Sequence, residues 1–156
     1  MERRWALRLF LLAMFAIAMA FLETAVVVYL RGLFYPDGFT TTLGTFPIFY
    51  YGTEVFREAA TIIMLAAVAV LSARRGWWER AAYFLFCFGM WDIFYYVWLY
   101  VLLDWPPSLL TSDVLFLIPV PWVAPVIVPV SVSVVMIAAS VWILARRTGS
   151  LFEGTE

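Results

Sequence analysis

Four stretches of this chain, about residues 5–30, 54–71, 81–103 and 122–145, are long and apolar enough to cross a lipid bilayer. A spanning helix needs about 20 mostly apolar residues. Within hydrocarbon a segment must satisfy its own backbone N–H and C=O groups, which favours helices. The expected fold is therefore an all-α integral membrane protein, a single four-helix transmembrane domain over residues 1–156. Composition agrees: 65% of residues are hydrophobic and 13% charged, against roughly half and a quarter in soluble domains. A soluble protein of this size could not cover so much apolar surface.

The first span has features of a secretory signal. Arg3, Arg4 and Arg8 make a basic start, and Ala18-Met19-Ala20 mimics a cleavage site. The apolar run continues through Val26-Val27-Val28-Tyr29-Leu30, too long for a signal, so an uncleaved span is expected. All ten basic residues are Arg. Eight of them (Arg3, Arg4, Arg8, Arg74, Arg75, Arg80, Arg146 and Arg147) fall on one side of the expected spans, and Arg31 and Arg57 on the other. Positive charge is retained on the cytoplasmic side. That places both termini in the cytoplasm and requires an even number of spans. The expected location is a bacterial inner membrane.

The outer connections are unusual. Residues 32–53 contain the turn signal Tyr35-Pro36-Asp37-Gly38. Residues 104–121 are too apolar for a solvated loop, and their prolines and Asp113 oppose a fifth span. An interfacial or re-entrant segment packed on the bundle is expected there. Within it, Asp113 is placed to cap a short helix over Val114–Ile118. Trp105, Trp122, Tyr35, Tyr50 and Tyr51 suit an outer aromatic belt, and Trp5, Trp77 and Trp78 an inner one. Pro125 and Pro129 are expected to kink the start of the fourth span.

Glu23, Glu54, Glu58 and Asp92 lie within the spans or at their edges, all between the expected midplane and the outer surface. Glu54 and Glu58, four apart, share one helix face, continued by Thr61 and Leu65. Asp92 sits mid-span, with Tyr95 and Tyr96 one turn on. A charge at the centre of a spanning helix costs at least about 2.5 to 3.5 kcal/mol, so such groups face the interior and find partners. Four carboxylates against Arg31 and Arg57 leave two negative charges uncompensated. Protons on two acids, a bound divalent cation or outer water would meet the deficit. Glu23, Glu58 and Asp92 are the expected core of a cation- or proton-binding site and the candidate metal ligands. Glu54 serves as entrance ligand, Arg57 sets the charge balance, and Tyr95 and Tyr96 support the carboxylates. The bland alternative is polar glue: protonated acids hydrogen-bonded to neighbouring helices, with Glu54 stabilised by its helix terminus. Ser133 and Ser140, seven apart, mark a helix-packing face.

The chain has no His and no Lys. Zinc and copper sites favour His and Cys, and haem most often takes His, so no haem, Zn-Cys/His or Fe–S site is expected. A carboxylate cage would favour Mg, Ca or Mn. No Ser-His-Asp triad, Schiff-base lysine or phosphate loop exists. The lone Cys87 excludes an intrachain disulfide and reads as a packed thiol. Net charge of −1 without a basic patch makes nucleic acid an unsuitable partner. Two roles fit: a bundle, as a homo-oligomer for transport, that binds a cation or protons from the outer side, or a non-catalytic accessory subunit of a larger respiratory or photosynthetic membrane complex. A carboxylate–metal membrane enzyme is a weaker third.

Overall fold

The computed structural model describes residues 2–35, 47–74 and 76–149. The turn expected at 35–38 and the chain end over 150–156 lie outside the described residues, apart from Tyr35. Four helices follow in order: α1 (Glu2–Phe34), α2 (Ile48–Ser72), α3 (Gly76–Leu103) and α4 (Ile127–Gly149). Between α3 and α4 run two short strands, β1 (Ser112–Phe116) and β2 (Trp122–Pro125). All four helices are long and apolar enough to cross a membrane. α1 and α2 exceed the expected spans at both ends, and α3 exceeds its span only at the start, helix and span both ending at Leu103.

The helices alternate in direction. At one end, Arg8 of α1 meets the carbonyl of Ser72 closing α2 (3.4 Å) and Glu79 in the first turn of α3 (3.8 Å). Gly76, with φ of 65°, makes the tight entry to α3 there. α3 is the central helix, packing extensively on α1, α2 and α4. Small residues permit the close approach of α1: Ala16, Ala20 and Thr24, each four apart, are fully buried. Thr24 Oγ1 donates back to the Ala20 carbonyl (2.8 Å) and lies 3.3 Å from the Tyr95 carbonyl. Trp98 Nε1 donates to the Ile17 carbonyl at 3.1 Å, tying α3 to α1 a second time. Between α3 and α4, Gly89 allows contact so close that a Cβ there would lie 2.7 Å from the Ser133 carbonyl oxygen. The core between these helices holds Leu65, Ala82, Tyr83 and Cys87, all at most 1% exposed.

Two expectations for the segment after α3 are corrected. The short helix over Val114–Ile118 is instead strand β1, paired antiparallel with β2 through Asp113↔Ala124 and Val114↔Val123. Its run of β-branched and large apolar residues suits a pleated surface, and Pro119 and Pro121 stop any helix. Nor does the fourth helix begin at Trp122; residues 122–125 are β2. α4 starts at Ile127 because Pro125 has no N–H and restricts its predecessor. Pro129 falls in the first turn of α4, where its missing N–H would have had no helical partner. The segment itself packs against the bundle. α3 ends where Asp104 takes a left-handed conformation (φ 50°), which Asp tolerates better than most residues. The loop then supplies carbonyls to the start of α4: Leu109 accepts from the Ile127 N–H (2.7 Å) and Thr111 from the Val126 N–H (3.0 Å).

Candidate functional site

Each sequence-predicted acid has a protein partner. Glu23, on α1, is 8% exposed. Its Oε2 is ion-paired with Arg57 of α2, and its Oε1 accepts from Thr61 Oγ1 at 2.6 Å. Arg57 also donates through Nε (2.9 Å) and Nη2 (2.7 Å) to Glu54 Oε2, one turn earlier. A single guanidinium thus joins acids from two helices, as its fixed fork of donors allows. Glu58 faces the hairpin: both its oxygens accept from the Leu117 backbone N–H, at 3.0 and 2.9 Å. Asp92, 7% exposed, accepts from Ser133 Oγ of α4 at 2.8 Å.

Glu23, Glu58 and Asp92, from three helices, line one cavity of about 60 Å³ together with Arg57, Thr61 and Tyr95. Glu54 does not reach it; it lines a neighbouring cavity of about 110 Å³ with Arg31, Tyr35, Tyr51 and Asp113. Arg57, Glu58 and Tyr95 border both spaces. Tyr96, expected to support a carboxylate of the spans, instead donates to Asp113 Oδ2 at 3.3 Å while its ring borders the smaller cavity.

Asp113 is the acid that sequence reasoning left outside the cluster. It is 3% exposed, and its Oδ1 lies 3.8 Å from Arg31 Nη2. Arg31 is itself buried, stacked 4.0 Å over the Trp105 ring. Burial pushes the Asp113 carboxyl up to about 6, against the opposing pull of Arg31 and of hydrogen bonds from the Val114 N–H and Tyr96. Counting Asp113, five carboxylates face two guanidiniums around the paired cavities, a formal excess of three negative charges.

The expected metal cage of Glu23, Glu58 and Asp92 is corrected: among the described residues no three Asp, Glu or Cys side chains gather closely enough to hold a metal ion. Each acid is drawn to its own donor, which spreads the carboxyls around the cavity wall instead of converging them. Two further residues escaped the sequence reading. Ser133 appeared only as a packing residue, although a hydroxyl on a buried face is also a donor for a buried acid. Trp91 lines the smaller cavity and is 8% exposed, and its Nε1 has no hydrogen-bond partner among the described residues. Cys87 is a buried free thiol.

Compared with protein-family models, curated proteins and solved structures, the chain matches none.

Proposed function

We propose that this chain is a multi-pass protein of a bacterial inner membrane, with both termini in the cytoplasm, whose buried carboxylate cluster takes up protons from the outer side. The orientation rests on arginine: Arg8, Arg74, Arg80 and Arg146 belong to one end of the bundle and Arg31 and Arg57 to the other. The observation that carries the reading is the meeting of Glu23, Glu58 and Asp92, from three helices, on one small polar cavity with Arg57 as its cation. Its volume of about 60 Å³ accommodates about two waters at about 30 Å³ each. That suits protons passed through water better than an organic substrate. Carboxyls separated by their own donors suit protons better than a metal. The larger cavity, bordered by Tyr35, Tyr51 and Glu54, gives the route in. Beyond Asp92 the buried core (Leu65, Ala82, Tyr83, Cys87, Ser140) holds two hydroxyls but no further acid among the described residues, which favours proton binding from one side.

The test is proton uptake by purified protein after a small pH jump, followed with a dye. Asp92→Asn and Glu58→Gln should each reduce the uptake. Unchanged uptake in both variants would overturn the reading.

A second reading has its own support. Because every acid of the cluster has a protein partner, the network equally suits polar glue in an accessory subunit of a larger membrane complex. Isolation from native membranes separates the two: a stoichiometric partner protein favours the subunit, and a solitary chain or homo-oligomer favours proton binding.

A further inference from the structure

The two polar cavities share a wall. Arg57, Glu58, Tyr95 and Val114 line both the smaller one, of about 60 Å³, and the larger one, of about 110 Å³. Each has room for water. Glu23 and Asp92 belong to the smaller cavity alone, and Glu54 and Asp113, with Arg31, to the larger alone. Among the described residues Glu58 is the one acid common to both.

A proton that enters by the larger cavity and ends on Asp92 has to cross this shared wall. The Val114 side chain exchanges no proton. Arg57 has N–H donors but no acceptor, and it keeps its charge. Its ion pairs with Glu23 and Glu54 therefore join the cavities electrostatically and pass no proton between them. The Tyr95 phenol gives up its proton only near an ordinary pKa of about 10. A glutamate, with an ordinary value of about 4.3, takes up a proton and releases it again at moderate pH.

Glu58 is also held for the task. Both its oxygens accept from the single Leu117 N–H, at 3.0 and 2.9 Å, and each oxygen keeps a further lone pair. Asp92 is held separately, by Ser133. Both acids line the smaller cavity, and so does Trp91, whose indole N–H has no hydrogen-bond partner among the described residues. Trp91 is 8% exposed, and a buried donor left unpaired is costly. A water in the cavity answers it. With its oxygen toward the indole, that water keeps both hydrogens for the carboxylates.

We propose that Glu58 is the relay through which protons pass from the larger cavity to Asp92, with a water anchored by Trp91 as the link. This rests on proton uptake by the cluster and supplies its route. Water in the larger cavity brings a proton to the Glu58 carboxylate. The acid so formed gives that proton to the anchored water, which passes one of its own to Asp92. Glu58 is again a carboxylate, the water is restored, and the net change is one proton gained by Asp92.

The test is time-resolved infrared spectroscopy of the full chain in detergent, with protons released by a light flash from a caged acid. The carboxylic-acid band of Asp92 is the one missing from Asp92→Asn. In Glu58→Gln, whose amide oxygen can still accept from Leu117, that band should rise about a hundredfold more slowly than in the parent yet reach most of its final height. Glu58→Asp, which keeps a carboxyl, should recover part of the rate. Trp91→Phe, which keeps a ring and removes the donor, should also slow the rise, and Tyr95→Phe should slow it less than Glu58→Gln does. An Asp92 band that rises at the parent's rate in Glu58→Gln or in Trp91→Phe would overturn the proposal and leave proton uptake standing. A hundredfold slowing in Tyr95→Phe would overturn it too, without need of any Glu58 variant. If Asp92 takes up no proton in the parent itself, the reading of proton uptake fails and the relay falls with it.

Discussion

Ser133 Oγ donates a 2.8 Å hydrogen bond to Asp92 Oδ2 across the α3–α4 contact, with both residues buried. The pair fixes the rotational setting of α4 against the central helix and answers how an acid is tolerated in the apolar run around Trp91. Ser133→Ala leaves the carboxylate short of a donor and should cost about 1 to 3 kcal/mol. In an Asp92→Leu background the same change should cost far less, since contacting residues couple by about 0.5 to 3 kcal/mol. Thermal unfolding of the four proteins in detergent measures the coupling, and simple additivity would count against the bond.

Gly89 is the point of closest approach between the same helices. A Cβ there would meet the Ser133 carbonyl oxygen at 2.7 Å and Ile137 Cγ1 at 2.8 Å. Gly89→Ala should destabilise by about 1 to 3 kcal/mol, the usual cost of overpacking. Adding Ile137→Ala should recover only part, because the carbonyl oxygen cannot swing aside. Gly32 is the control: among the described residues nothing lies within 4 Å of its virtual Cβ, so Gly32→Ala should be neutral or stabilising by up to about 1 kcal/mol.

Arg57 joins Glu23 to Glu54. Removing one member of a buried ionic network leaves its partners uncompensated, at a cost of about 3 to 5 kcal/mol. Arg57→Gln should therefore lower the unfolding temperature more than Glu54→Gln does. Combining Arg57→Gln with Glu23→Gln should restore part of the loss. A double variant less stable than Arg57→Gln would show that Glu23 is held chiefly by Thr61.

Asp113 sets a pH dependence outside the spans. Its carboxyl is raised by burial from an ordinary 3.8 to about 6. Between those values the unfolded chain has lost the proton while the folded chain keeps it. Stability therefore falls as pH rises from about 4 to about 6, by roughly 3 kcal/mol in total, and is level above. An infrared carboxylic-acid band with a midpoint near 6 should be present in the parent and absent in Asp113→Asn. A midpoint near 4 would mean that Arg31 outweighs burial.

The four spans were legible because hydropathy is a sum over some twenty residues and tolerates local error. The presence of acids on three spans was legible too, and Glu23, Glu58 and Asp92 do share a cavity. Their partners were not. Thr61 meets Glu23 across 38 positions of chain, Ser133 meets Asp92 across 41, and Leu117 meets Glu58 across 59. No local pattern specifies such pairs, since each depends on how two helices, or a helix and a hairpin, are turned toward one another. The hairpin was misread for a related reason: a short apolar run such as Val114–Ile118 suits a strand or a helix turn equally until β2 supplies the pairing.

From the residues alone came the number of apolar helices, the sorting of arginines between their ends and the surplus of carboxylates near one end. These are additive properties of composition along the chain. Packing decided which acid meets which donor, brought Asp113 into the cluster and set Asp92 on the wall of a small polar cavity. Hydrogen bonds and ion pairs act over a few ångströms, so their partners exist only once distant segments have docked.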